Sequence, residues 1–268
     1  MNVNEKTRQH MTTLVQYAET TSVFTLNDLR HRYGDRTGDR SIDSVLYKLK
    51  RQGRVRAVCP GVYSGARSQV PVNRYAVPSK LREDAVIGYH SALEFHGLAN
   101  QVFQTVYYLS LRPRRDVTYE QVTYHRSAPP RRLVQAGGVD FQVEPHLGGI
   151  RVTGRERSLV DCLHSLEYSG GVDELDRCLA AFPSFDFEVA FKYLTLLHWP
   201  WLYARLGYLL DRHAKRLFFA GKWRDAFLRR VPRGVVYLER KRPGGRWVSL
   251  WNLMVPPSMA ESAPGEAG

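Results

Sequence analysis

A basic segment near the start of the chain carries the residues best suited to chemistry. Apolar side chains recur there at the spacing of one helix face, at Ile42, Val45, Leu46 and Leu49. At about 100° per residue, the opposite face carries a polar and basic set: Arg40, Ser44, Tyr47, Lys48 and Arg51. Arginine can donate two hydrogen bonds to guanine, lysine and serine bind phosphates, and tyrosine can contact either a base or a phosphate. This face is therefore predicted to contact duplex DNA.

Two more arginines follow on a predicted β-hairpin. Arg54 and Arg56 are two residues apart, which places them on one face of a strand over residues 54–58. Pro60-Gly61 is typical of a type II turn and leads into a second strand over 62–64. The hairpin is expected to place both arginines on the flanking DNA backbone. A solvated basic surface used for protein contacts is the alternative.

Three helices precede this hairpin and position it. Heptad-like apolar spacing predicts a first helix over residues 7–19. Thr25 is a candidate N-cap for a second helix that ends at Gly34, and Ser41 is a candidate cap for the third, which runs to Gln52. Three helices and a terminal hairpin predict a winged helix-turn-helix over residues 1–66.

The rest of the chain divides into three parts. Residues 67–78 are rich in Ser, Pro, Arg and Gln and are predicted to be a linker. Residues 79–256 are predicted to form a larger C-terminal domain, and residues 257–268 are predicted to be a disordered tail. Helices are predicted at 81–96, from a Thr153 to Glu156 capping box onward, and at 172–182, 186–197, 201–213 and 223–231. Strands are predicted at 102–111, 121–125, 139–144, 150–152, 235–241 and 247–255. The expected fold class is α+β.

The amino-acid composition limits the classes of binding partner and the cellular compartment that are expected for this chain. The 39 Lys+Arg exceed the 26 Asp+Glu and give a formal net charge of +13, which favours a polyanionic partner, whether DNA, RNA or an acidic protein. The 3 cysteines show no C-x-x-C spacing, so we expect neither a disulfide framework nor a zinc ribbon, and a reducing cytoplasm fits them. The first ten residues lack the apolar centre of a signal peptide, and the apolar stretch 194–210 is interrupted by polar residues and Pro200. No membrane partner is expected.

Two fragments raise the question of enzymatic activity. His90 and His96 are six residues apart and fall on different faces of a helix, unlike the pair of a zinc protease. Glu239 and Lys241, with Asp225 upstream, resemble part of a metal-dependent nuclease motif, although an exposed charged strand explains them equally well. We expect no catalytic residue, no metal site and no cofactor, and hence no enzyme. A nuclease that a winged helix delivers to DNA remains the alternative.

Four segments, in this order, resemble the AbiEi family of antitoxins. They are PGVYS at residues 60–64, IGYHSALEFHGL at 87–98, VTGRERSLVD at 152–161 and ARLGYLL at 204–210. The resemblance covers about residues 10–255.

This resemblance implies a bacterial toxin–antitoxin protein of phage defence with two roles. The winged helix would bind inverted repeats in its own promoter and repress it, and the C-terminal domain would oppose a nucleotidyltransferase-like toxin, directly or indirectly. Paired half-sites favour two winged helices held near each other, as a dimer or as two monomers side by side. A DNA-binding adaptor without antitoxin activity is the remaining alternative.

Overall fold

The first part of the chain folds into three helices and a three-stranded sheet in the computed structural model, which describes residues 3–239 and 244–260. The elements are α1 Val3–Thr20, β1 Phe24–Thr25, α2 Leu26–Thr37, α3 Asp39–Arg51, β2 Val55–Cys59 and β3 Val62–Gly65. The strands are antiparallel in the order β1-β3-β2. This is the winged helix-turn-helix that the periodicity predicts, with β2 and β3 as the wing.

The ends of α2 confirm one prediction and correct another. Thr25 is its N-cap: the Asp28 backbone N–H donates to Thr25 Oγ1 at 2.9 Å, and the Thr25 N–H donates to Asp28 Oδ2 at 2.8 Å. The helix does not stop at Gly34. The Gly34 carbonyl accepts a hydrogen bond from the Gly38 amide, and the helix ends at Thr37 because Gly38 takes a positive φ of 74°.

A six-stranded mixed sheet forms the centre of the larger unit. Its strands are β4 Val86–Ile87, β5 Thr105–Leu109, β6 Val117–Tyr119, β7 Val122–Ser127, β8 Val143–Pro145 and β9 Arg151–Thr153. Their order is β6-β7-β5-β4-β9-β8. The β5–β7 and β4–β9 pairs are parallel and the other pairs are antiparallel.

Helices and a small second sheet complete this unit. The helices are α4 Val77–Leu81, α5 Tyr89–Phe95, α6 Arg131–Gln135, α7 Arg155–His164, α8 Val172–Ala180, α9 Phe187–Leu197, α10 Pro200–Arg212, α11 Ala214–Leu217, α12 Gly221–Leu228 and α13 Pro257–Ala260. Short 3-10 turns lie at Leu147–Gly149, Leu166–Tyr168 and Ser249–Trp251. The small sheet has the order β10-β12-β11, from β10 Val236–Tyr237, β11 Arg246–Val248 and β12 Leu253–Val255.

The fold class is α+β, as predicted. Within residues 3–239 and 244–260, none of the helices combines the length and apolar character that a bilayer span requires.

The predicted helix over 81–96 is wrong at its start. Residues 86–87 are strand β4, and helix α5 begins only at Tyr89. The Asp84 carboxylate accepts hydrogen bonds from the Ser110 hydroxyl and the Leu111 amide, both at 2.8 Å, which directs the following residues into the sheet beside β5. A helical period in the sequence is overridden here by pairing with distant strands.

The predicted capping box before α7 is also wrong. Gly154 precedes the helix, while Thr153 Oγ1 lies 2.7 Å from Ser158 Oγ and the Glu156 side chain accepts the Asp186 amide at 3.1 Å. Thr153 is therefore used in a local contact with the first turn of α7 and Glu156 in a tertiary contact, rather than in a reciprocal cap.

The predicted linker and tail boundaries need revision. Val77 and Pro78 are buried within α4, so the predicted linker over 67–78 ends inside a packed helix. Residues 257–260 of the predicted tail over 257–268 form α13, because the Met259 side chain is buried and its carbonyl accepts the Tyr208 hydroxyl at 2.8 Å. Residues 261–268, and Lys241 of the predicted strand over 235–241, lie outside the described residues.

The winged helix and the larger sheet share one apolar core. Val23, Val58 and Val62 of the wing sheet and its approach belong to the same buried cluster as Val77 and Leu81 of α4. The sheet contributes one face to this cluster through Ile87, Val106, Tyr108, Tyr124 and Val152. Val86 and Leu109, on the opposite face, belong to the cluster of the helices. The sheet is thus a middle layer between the winged helix and the helical layer.

The joint is reinforced by polar contacts. Lys80 Nζ of α4 donates to Asp28 Oδ2 at the start of α2, at 2.9 Å. Arg114 donates to Cys59 Sγ at the end of β2, at 3.0 Å. These contacts connect the two units on both sides of the wing turn.

Close helix packing in the larger unit gives a stability prediction. Gly207 of α10 lies directly under the Trp251 ring, and a methyl group at this position would overlap Cζ3 of the indole. We expect Gly207→Ala to lower the free energy of unfolding by about 1–3 kcal/mol, because Trp251 is fully buried and has no room to move. Gly234→Ala, with nothing within 4 Å of the added methyl, is the matched control and should stay within about 0.5 kcal/mol. Urea denaturation measures both, and equal stabilities would contradict the packing described.

Candidate nucleic-acid interface

The outward face of α3 carries the predicted DNA-contacting residues together. Ile42, Leu46 and Leu49 are buried in the core of the winged helix. This orientation leaves five side chains exposed on the other side, at Arg40, Ser44, Tyr47, Lys48 and Arg51. The Tyr47 side chain is 62% exposed, a large value for an aromatic residue. The structure therefore presents this set as one continuous basic and aromatic surface.

Local contacts hold this surface in order. The Arg51 guanidinium lies 6.0 Å from the centroid of the Tyr47 ring, and the Ser44 hydroxyl donates to the Arg40 carbonyl at 2.9 Å. Asp43, an acidic residue on the same helix, lies 3.0 Å from Arg30 of α2. The ion pair offsets the negative charge that Asp43 would otherwise place beside a DNA backbone.

Arg54 does not belong to this exposed surface. Its Nε donates to Glu19 at the end of α1, and Arg67 Nη1 lies 3.5 Å from the other oxygen of the same carboxylate. The hydrogen bond from Arg54 lowers the pKa of Glu19 more than burial raises it. Arg54 therefore holds the start of β2 against the end of α1. The phosphate contact of Arg54 stays a prediction, and in the structure its guanidinium already has the Glu19 carboxylate as a partner.

The close approach of β3 to α1 explains this arrangement. Gly65 ends β3 and is buried, and any side chain at this position would overlap the Glu19 carbonyl. The hairpin therefore lies directly on the end of α1, which brings Arg54 and Arg67 onto the Glu19 side chain.

Arg56 is the wing arginine that stays accessible. Its side chain is 64% exposed, and Nη1 lies 3.5 Å from Glu120 Oε1 in the β6–β7 turn. Both partners are largely in solvent, where such a pair contributes little. Arg56 is free to exchange this partner for a phosphate.

One basic residue of α3 was missed by the sequence prediction. Lys50 is exposed at the edge of the polar face, and its Nζ lies 5.7 Å from the centroid of Tyr63 on β3. It fills the space between helix and wing. The sequence feature that indicates Lys50 is the run Lys48-Leu49-Lys50-Arg51, which extends the basic residues to the flank of the polar helix face.

The residues of the nuclease alternative serve other contacts where they are described. Glu239 Oε1 accepts the Val172 amide at 3.3 Å, at the start of α8, and Asp225 is exposed on α12. Within the described ranges, neither acid belongs to a group of three potential metal ligands. Lys241 lies outside those ranges.

His90, Glu174 and Cys178 form a buried polar cluster in which the ligand atoms lie within 4.8 Å of one another. Glu174 Oε1 lies 3.1 Å from His90 Nε2 and accepts the backbone amides of Asn100 and Gln101 at 2.9 and 3.0 Å. Burial raises the pKa of Glu174, but these hydrogen bonds together outweigh it and the net shift is downward. Burial and the Glu174 charge raise the pKa of Cys178 to about 12, so its thiol is also a donor. The Glu174 carboxylate on α8 thus contacts His90 of α5, while His90 Nδ1 and Glu174 Oε2 are buried without a hydrogen-bond partner among the described residues.

Many residues in the AbiEi-like segments are buried. In the segment 152–161, Arg157 and Asp161 are 1% and 2% exposed and lie 3.5 Å apart. Tyr193 donates to the same aspartate at 2.6 Å, and Arg157 Nη1 donates to the Val139 carbonyl at 2.8 Å. These contacts build the core around α7. In this segment, conspicuous polar residues therefore serve contacts within the protein core.

Comparison with known proteins shows a similarity in structure. No family model matches the chain, and no curated protein does. The chain is similar in structure to the RV2827C protein from Mycobacterium tuberculosis, with a TM-score of 0.60 and 17% sequence identity, over 91% of this chain and 89% of that chain. At this identity the similarity shows a shared α+β fold.

The Glu19 contacts predict a pH-dependent contribution to stability. The pKa of Glu19 is lowered in the folded protein, so its stabilising effect is complete above the unfolded value of about 4.3 and is lost as the pH falls through the folded pKa. The stability difference between the native chain and Glu19→Gln should stay constant from pH 7 to 5 and shrink toward pH 3. Urea denaturation across this range measures it, with the exposed Glu83→Gln as control. A difference independent of pH would contradict the role given to Arg54.

Proposed function

We propose that this chain is a DNA-binding transcriptional repressor of its own promoter and the antitoxin of a bacterial toxin–antitoxin pair. The exposed face of α3 is the observation that supports the first half. It combines three cations, a hydroxyl and an accessible aromatic ring on the second helix of a helix-turn-helix. The second helix of this motif lies in the major groove in its DNA complexes.

The roles of the individual residues follow from their chemistry. Arg51 and Tyr47 lie side by side and are suited to base edges, where an arginine forks onto guanine O6 and N7. Arg40 and Lys48 flank them and are suited to phosphates, which fix the register of the helix on the duplex. Arg56 adds a cation from the wing.

The antitoxin half depends on the resemblance to the AbiEi family. It assigns the larger unit to the neutralisation of a nucleotidyltransferase-like toxin. The AbiEi-like segments run from the wing to α10 and include the contacts that build α5 and α7. These segments support an architecture shared with the AbiEi family. The surface that opposes the toxin is proposed to lie among the exposed residues of the larger unit.

The DNA-binding role predicts which substitutions weaken operator binding. Arg51→Ala and Tyr47→Ala should each cost about 1–3 kcal/mol of binding free energy, because each removes a contact to a base edge. Both side chains are exposed, so the fold should be unaffected. Gel-shift titration on the DNA upstream of its own gene measures the loss. Lys215→Ala, an exposed cation on α11, is the control that should bind normally. If the folded Arg51→Ala variant bound this DNA as tightly as the native chain, the assignment of α3 to the DNA interface would be wrong.

The two proposed roles should separate in the full-length chain. The double variant Tyr47→Ala/Arg51→Ala should fail to repress a promoter reporter and should still protect cells from the toxin encoded beside it. The reason is that both residues lie on the solvent face of α3 and the larger unit is left intact. Reporter activity and colony survival on toxin induction measure the two roles. Loss of protection by this folded double variant would contradict the assignment of the antitoxin role to the larger unit.

A further inference from the structure

The wing turn of this protein carries no cation of its own. Residues 57–63 are Ala, Val, Cys, Pro, Gly, Val and Tyr. Of the two arginines at the start of the hairpin, Arg54 is held by Glu19 and Arg56 lies three residues before Cys59 at the turn. A wing that stabilises a DNA complex does so by placing cations on phosphates. At the turn, those cations must come from another segment.

A segment of the larger unit runs along the wing and ends at its turn. Glu120 lies 3.5 Å from Arg56 near the start of β2, and Arg114 donates to Cys59 Sγ at the end of β2. Residues 114–120 therefore lie beside β2 and run in the opposite direction. The loop between β5 and β6, which contains Arg112-Pro113-Arg114-Arg115, is placed at the wing turn by this arrangement.

Hydrogen bonds fix this loop in place. Arg82 Nη2 donates to the Pro113 carbonyl at 2.8 Å, and Arg114 Nη1 donates to the Leu81 carbonyl at 3.4 Å. The Ser110 hydroxyl donates to Asp84 at 2.8 Å. The Arg114 side chain is thus engaged in the contacts that join the loop to the wing.

The two remaining arginines of the loop face solvent. Arg112 and Arg115 are both exposed. Burial raises the pKa of the nearby Asp84 carboxyl, but hydrogen bonds from Ser110 and Leu111, with a smaller effect of the Arg112 charge, give a net lowering. Asp116 lies 3.0 Å from His125 Nδ1 and is turned to a different partner. In the part of the chain that the structure describes, no hydrogen bond or ion pair engages the Arg115 side chain.

We propose that Arg112 and Arg115 supply the phosphate contacts at the wing turn, in addition to Arg56 on β2, so that the larger unit takes part in binding the duplex. The ligand is the DNA backbone next to the groove that α3 enters. The inference rests on the proposed DNA-binding function and extends it to a loop outside the winged helix. Arg114 and the shared core fix the loop to the wing, so the two arginines are held beside the wing turn.

The salt dependence of operator binding tests this proposal. Each phosphate contact contributes about 0.9 to the slope of log affinity against log salt, so Arg112→Ala/Arg115→Ala should reduce the slope by about two. Over a fourfold rise in salt, the native chain should then lose about tenfold more affinity than the variant. The matched control is Arg177→Ala/Arg229→Ala, which removes the same charge from exposed positions on α8 and after α12. Arg112→Lys/Arg115→Lys should keep the native slope, since a phosphate accepts either cation.

The outcomes separate this inference from the proposed function. If the alanine double variant has the slope of its control while Arg51→Ala still weakens binding, the loop has no contact with DNA and only this inference fails. If the lysine double variant loses as much slope as the alanine variant, the phosphate assignment is overturned. If the native chain binds no duplex, the proposed function itself fails. Thermal unfolding of each variant verifies that the fold is intact.

Discussion

One face of the wing sheet is apolar and is buried away from water, and the arrangement of the rest of the molecule depends on this burial. Val23, Val58 and Val62 are almost fully buried against α4 and the six-stranded sheet. Burial of this face removes apolar area from water, which is the main favourable term in folding. It also decides which surface of the winged helix remains outward. The polar face of α3 is exposed on a unit whose other side is part of the protein core.

The sequence predicted what depends on local periodicity. The stripe from Ile42 to Leu49 identified the buried face of α3, and Pro60-Gly61 identified the wing turn. Strand β4 was missed because its two residues are defined by partners in β5 and β9, far along the chain. The same holds for Glu156, whose short-range pattern with Thr153 is a capping box and whose actual partner is the Asp186 amide. Thr153 instead contacts Ser158 in the first turn of α7.

The candidate site shows the same division between local and distant information. The exposed residues of α3 follow from one helical period, and the structure places all five as expected. Arg54 was assigned to DNA because strand alternation does not reveal Glu19, which is 35 residues away. The loop at Arg112 was overlooked because its position beside the wing depends on the contact between Arg114 and Cys59. Basic residues are visible in a sequence, and their partners are visible only in the fold.

The joint core would also limit how two copies could arrange themselves on the inverted half-sites of the proposed operator. A chain whose DNA-reading part swings on a tether tolerates many spacings between half-sites, because the tether takes up the difference. Here Val58 and Val62 lie in one core with the larger sheet, so the orientation of α3 is set by the bulk of the protein. If the proposed DNA binding is right, two such bodies would fit side by side at half-site separations near a whole turn of the double helix, about 10 base pairs, or a multiple of it. The shape of the larger unit would then help to set the spacing of the proposed repeats.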